Sequence, residues 1–156
     1  NLQVDALNYA LQNVPADRVR MHLCWGNYEG PHTHDIPLQK VLPVVMRAKP
    51  MAIQFEGANP RHSHEWQVWA AADIPTDKVL IPGVLDTTTN FVEHPELVAE
   101  RIEKYARIVG PERVIAGTDC GFGTFAGFGA IHPSICWAKL GAMAEGAQLA
   151  SERLFA

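Results

Sequence analysis

Residues 79–121 read VLIPGVLDTTTNFVEHPELVAERIEKYARIVGPERVIAGTDCG, and this stretch decides the fold. Val79 to Leu85 is an apolar run of strand length, and Asp86-Thr87-Thr88-Thr89-Asn90 breaks it. Pro95 to Val109 then reads as the clearest helix of the chain, with Leu97, Ile102 and Tyr105 as apolar positions and Gly110-Pro111 as its stop. Arg113 to Gly117, RVIAG, is a strand again, ending in Thr118-Asp119-Cys120-Gly121. Two strands joined by a helix are joined by a crossover, so they lie parallel in one sheet.

The same alternation extends upstream and downstream. Residues 2–13 carry Leu2, Ala6 and Ala10, and Val4, Leu7 and Leu11, at helical spacings, and Val14-Pro15 ends that helix. Arg18 to Trp25 is strand-like and runs into a loop, Gly26 to Asp35, rich in Gly, Pro and His. Ile36 to Ala48 looks helical, with Pro37 tolerated near the start and Pro43 set to kink or delay it. Met51 to Glu56 is a buried-type strand, followed by Gly57-Ala58-Asn59-Pro60 and a Trp-rich helical stretch, Glu65 to Ala72. Pro133 to Leu154 supplies the closing helix. A leading helix and four βα units make an α/β protein with a parallel sheet, undivided by any long linker.

The chain has 156 residues, 47% apolar and 19% charged, so disordered and fibrous classes are excluded. No apolar run approaches the roughly 18 residues of a membrane span, and the opening Asn1-Leu2-Gln3 is neither a signal peptide nor an initiator methionine. Thirteen Lys and Arg against seventeen Asp and Glu give a net charge of -4 without basic clusters, which argues against nucleic acid and anionic membranes as partners. Cys24, Cys120 and Cys136 are an odd number of cysteines far apart, which fits a reduced, cytoplasmic setting better than a disulfide framework.

The polar residues at the strand ends carry the functional reading. His22 and Cys24 close the first strand, Glu56 the second, Asp86 follows the third and Asp119-Cys120 the fourth. Sites of parallel α/β folds are built at that end of the sheet. His22 and Cys24 are two apart, so on a strand they share a face. With Cys120 they form a thiolate–imidazole set of the kind zinc prefers, and Glu56 could add an exchangeable oxygen. The alternative is plain: an H-x-C pair is a short match, and strand cysteines are commonly core.

The stretches MHLCWGNYEGPH, AIQFEGANPRH, LIPGVLDTTTNFVEHPE and IAGTDCGFGTF, in that order, resemble the C-terminal catalytic barrel of cobalamin-independent methionine synthase and its relatives, the epoxyalkane:coenzyme M transferases among them. The resemblance implies a TIM (β/α)8 barrel. It also implies a catalytic zinc held by His22, Cys24, Glu56 and Cys120. Its reaction would be an attack by a metal-activated thiol on an electrophilic carbon, with a small thiol and an alkyl donor as partners. For methionine synthase the thiol is homocysteine and the carbon is the methyl of 5-methyltetrahydrofolate. A complete barrel takes about 250 residues. Residues 1–156 therefore read as its C-terminal half, with the other half expected upstream of Asn1 or supplied by a second copy in a homo-oligomer.

The chain departs from that pattern after the third strand. Where the synthases have D-I-H-S-P, this chain has Asp86-Thr87-Thr88-Thr89, and Thr88 stands in place of the histidine that would protonate the leaving group. His32, His34, His62, His64 and Glu65 are the loop residues that could replace it, or could simply be solvated. Asp86 and Asp119 are the candidate catalytic carboxylates, with loop-amide binding and turn capping as the alternatives. The text NPRHSHEW looks more like the shorter relatives. Methyl transfer to homocysteine is the first functional reading, epoxide alkyl transfer to a thiol such as coenzyme M the second, and a non-catalytic zinc-binding fragment the third. Gly121-Phe122-Gly123-Thr124, with Gly127 and Gly129, lacks the P-loop lysine and reads as loop. Trp25, Trp66 and Trp69 fit core or rim packing better than stacking on a pterin, and Cys136 reads as core.

Overall fold

Four parallel strands lie side by side in chain order: β1 (Arg20–Leu23), β2 (Ala52–Phe55), β3 (Val79–Leu85) and β4 (Gly117–Thr118). They belong to a computed structural model that describes residues 1–123, 126, 127, 129 and 131–156. Between them run α2 (Leu38–Val45), α3 (Trp66–Ala70) and α4 (Pro95–Val109), with α1 (Leu2–Ala10) before β1 and α5 (Pro133–Leu154) after β4. A sheet whose order never reverses is wound in one direction, as a barrel is and a doubly wound sheet is not. The result is a curled parallel four-stranded half-barrel.

Register sets the two faces. His22 pairs with Gln54, and Gln54 with Ile81, while Met21, Ile53 and Leu80 align on the other face. That second face meets the helices: Ile53, Phe55, Leu80, Leu42, Trp69 and Tyr105 belong to one core cluster. Phe55 stacks on Trp69 at 4.0 Å and meets Tyr105 edge-on at 5.3 Å. A second cluster joins Val84 and Leu85 of β3 to Val98, Ala99 and Ile102 of α4 and Ala150 of α5. His22 stays exposed on the opposite face.

The two long helices have the bounds expected of them, because each opens on a His-Pro pair. His94 and His132 are N-caps whose Nδ1 accepts the amide of Glu96 or Ser134 at 3.2 Å, and Pro95 and Pro133 occupy the next position, where no amide is needed. Gly110, at φ 93°, ends α4.

Other elements are shorter than their sequence suggests. Ala16–Arg18 form a 3-10 turn, so β1 begins only at Arg20. Pro37 is the N-cap of α2, which ends at Val45, and Pro43 lies within it. The strand expected over Arg113 to Gly117 is displaced to Gly117–Thr118. Pro111–Arg113 form a 3-10 turn, held because the Arg113 guanidinium folds back to the carbonyl oxygen of Val109 at 2.6 Å. Val114 then touches the sheet at a single bridge to Leu80. Among the described residues no helix is long and apolar enough to cross a membrane.

Candidate metal centre and active-site cavity

The face that the helices leave uncovered carries the chemistry. His22 and Cys24, on alternate positions at the end of β1, meet Cys120, which follows β4, so that their donor atoms all lie within 4.8 Å of one another. The sheet's curl makes this contact, since β1 and β4 are its first and last strands. Cys24 is exposed and Cys120 buried, with their sulfurs within 4.8 Å of each other. Burial pushes the Cys120 thiol up, as do the charges of Glu56 and Cys24. Burial pulls His22 below its ordinary value, against the charge of Asp119 and a hydrogen bond with Gln54. One imidazole nitrogen and two sulfurs within mutual reach form a soft donor set that fits zinc and not magnesium or calcium.

Glu56 stands outside that trio. Its Oε2 accepts the Trp25 amide at 2.8 Å and its Oε1 accepts from Asn59 Nδ2 at 3.3 Å. Burial raises its carboxyl, with the Trp25 amide pulling the other way. Facing it, at 3.8 Å from Oε2, is His62 Nε2. The His62 ring stacks on Trp25 at 4.5 Å, and its Nδ1 donates to Glu65 Oε2 at 2.8 Å. A carboxylate only accepts, so this bond fixes the proton on Nδ1 and turns Nε2 toward Glu56 and Asp35. Burial lowers the His62 pKa, but the Glu65 hydrogen bond and the charges of Glu56 and Glu65 outweigh it and leave the ring above its usual value.

Asp119 is wholly engaged. Its Oδ1 accepts the amides of Gly57 and Ala58, and its Oδ2 accepts the amide and Nδ2 of Asn59, at 2.8–2.9 Å. The carboxylate thereby clasps the loop after β2 to the end of β4, and Gly83 makes room for it: a Cβ at Gly83 would come within 2.8 Å of the Asp119 Cα. Asp86 also binds its own loop, its Oδ1 accepting both the amide and the hydroxyl of Thr88 at 2.9 Å. The Asp86 amide donates to Glu93 Oε1, and Glu93 Oε2 pairs at 2.8 Å with Lys139 of α5, whose side chain is 0% exposed.

A cavity of about 230 Å³ opens between these loops, lined by Glu56, Asn59, His62, Asp86, Thr88 and Asp119 together with the loop after β1. His32 lines it too, its Nε2 3.0 Å from the Tyr28 carbonyl oxygen, whereas His34 and His64 are exposed and lie off its wall. Trp69 is core and Trp66 packs against it. Cys136 is half-buried in α5 rather than core, its sulfur 3.9 Å from the Ile131 carbonyl oxygen. Of the glycine-rich stretch, Thr124 lies outside the described residues. Sequence reasoning missed Gln54 beside His22 and the Asn59 amide beside Glu56. It also missed Asn27, which donates from Nδ2 to Gly121 O at 2.9 Å and accepts from Thr87 Oγ1 at 3.0 Å, joining the loops after β1, β3 and β4.

No protein-family model matches the chain. Its sequence is 23% identical over 143 residues to 2-hydroxypropyl-CoM lyase of Xanthobacter autotrophicus (strain Py2), a match covering 76% of this chain and 38% of that protein. Its structure superposes on a B12-independent methionine synthase from Shewanella sp. W3-18-1, solved in complex with selenomethionine, with a TM-score of 0.74 at 18% identity over 97% of this chain and 43% of that one. The resemblance read from the sequence is found in both comparisons. The fold is that of part of a methionine synthase barrel, and the chain spans less than half the length of either relative.

Proposed function

We propose that the chain carries a zinc-dependent transfer of an alkyl group to a small thiol, with methyl transfer from 5-methyltetrahydrofolate to homocysteine as the reaction. One observation carries this reading: an imidazole and two thiols, brought from opposite ends of the sheet, converge on the face where parallel α/β folds place their sites. His22, Cys24 and Cys120 would hold the metal, and Glu56 would be the exchangeable ligand that the family resemblance implies, giving way to an incoming sulfur. Bound zinc would supply deprotonation of the substrate thiol at neutral pH.

The chain's own residues do the rest. Asp119 fixes the loop that carries Asn59 and His62. Trp25 gives its amide to Glu56 and its indole face to His62, so both groups are oriented by one residue. The leaving group needs a proton, and with Thr88 bonded to Asp86 the histidine whose free nitrogen faces Glu56 at the cavity wall is His62. Epoxide transfer to a thiol such as coenzyme M is the second reading, favoured by the sequence likeness to 2-hydroxypropyl-CoM lyase.

Metal analysis is expected to find one zinc per chain in the purified protein and much less in Cys24→Ser and Cys120→Ser. Wild-type zinc content in both variants would sink the proposal. His62→Gln is expected to keep zinc and lose about 10²–10⁴-fold in turnover. Turnover with methyltetrahydrofolate and homocysteine, set against an epoxide and coenzyme M, separates the two substrate readings.

A further inference from the structure

We propose that Cys24 and Cys120 also form an oxidisable dithiol, which a hydroperoxide converts to an intramolecular disulfide. Their sulfurs lie within 4.8 Å of each other. One thiol is exposed and the other buried, which is the division of labour such a pair requires: Cys24 meets the oxidant and Cys120 resolves the product. Glycines follow both cysteines: Gly26, at φ 115°, lies two residues after Cys24, and Gly121 comes directly after Cys120. Cys136, on α5 near the Ile131 carbonyl, is not part of this trio.

The chemistry balances with one hydroperoxide as oxidant. The Cys24 sulfur attacks a peroxide oxygen, the O–O bond breaks, and the alcohol departs with a proton, leaving a sulfenic acid. The Cys120 sulfur then attacks the Cys24 sulfur, the S–S bond forms, the S–O bond breaks, and water departs. Two thiols lose two electrons and the peroxide gains them. A disulfide offers no thiolate, so oxidation and metal binding at these atoms exclude each other. The pairing rests on the sulfur geometry; only this exclusion rests on the zinc reading.

Hydrogen peroxide at one equivalent, added to metal-free folded chain, is the test. The intact mass is expected to fall by about 2 Da, with two of the three thiols lost and a cross-link joining the Cys24 and Cys120 peptides. Cys136→Ser should behave identically, and Cys24→Ser should show no such loss. A cross-link to Cys136, a covalent dimer, or oxygen adducts without the fall in mass would each overturn the dithiol. Zinc added first at one equivalent is expected to slow disulfide formation at least tenfold. If the disulfide forms in metal-free chain and zinc does not protect it, the dithiol stands and the zinc reading falls.

Discussion

Asp119 shows what a single buried carboxylate does here. The residue is 1% exposed, and burial pushes its carboxyl up while three backbone amides and the Asn59 side chain pull it down. Those donors belong to the loop after β2, which the carboxylate holds against the end of β4. Asp119→Ala would leave the buried amides of Gly57 and Ala58, and the half-buried amide of Asn59, without acceptors. Each orphaned buried donor costs about 1–3 kcal/mol, so chemical denaturation is expected to show a loss of at least about 2 kcal/mol. Gly83→Ala attacks the same clasp from the other side, since its new Cβ would stand 2.9 Å from the Asp119 backbone nitrogen. Overpacking of this kind costs about 1–3 kcal/mol, and zinc content is expected to fall with it because Cys120 is the next residue. Sequence placed Asp119 at a strand end but could not show this role. Its partners lie about sixty residues upstream, a separation that only the fold closes.

Elements were legible where their ends are fixed locally and obscure where a tertiary contact fixes them. Pro95 to Val109 and Pro133 to Leu154 match their expected bounds, because proline, the capping histidine and Gly110 act within one turn of the chain. The strand read from RVIAG slid by several residues, because its β-branched pattern says nothing about a turn stabilised by Arg113 reaching the carbonyl oxygens of Val109 and Pro75. Gly146 of α5 was equally silent: a Cβ there would meet Val98 of α4 at 2.5 Å, so α5 packs closely on α4 at this position. The exposed face of α4 carries a pH signature. Lys104, bonded to Glu100 one turn away at 2.7 Å, holds that carboxyl below its ordinary value of 4.5. A depressed carboxyl contributes stability that is fully present above pH 4.5 and is lost as the pH falls through the folded value. Glu100→Gln is therefore expected to cost about 0.3 kcal/mol at pH 7, and urea midpoints of the two proteins should converge in more acid solution.

For the whole molecule, the decisive property is that the four strands follow chain order in a sheet that curls until residues at its first and last strands share a site. The order was readable, since each βα unit announces itself; the contact between β1 and β4 was not, because it depends on twist and on glycines such as Gly83 and Gly117 that let adjacent strands close up. A metal bound by His22 and Cys24 at one end and Cys120 at the other would stitch the sheet across its full width. It would bind the folded chain and only weakly the unfolded one, where the three donors come from positions nearly a hundred residues apart. Linkage then makes folding stability rise with free zinc, by about 2.7 kcal/mol at a hundredfold excess over the dissociation constant. Thermal unfolding in buffered zinc is expected to move upward with concentration and to return to its starting point when a chelator is added. Cys120→Ser should flatten that dependence while leaving the metal-free transition close to that of the wild type, because the metal bridge is lost and the clasp made by Asp119 is not. A zinc dependence that survives Cys120→Ser would place the metal somewhere other than the junction of β1 and β4.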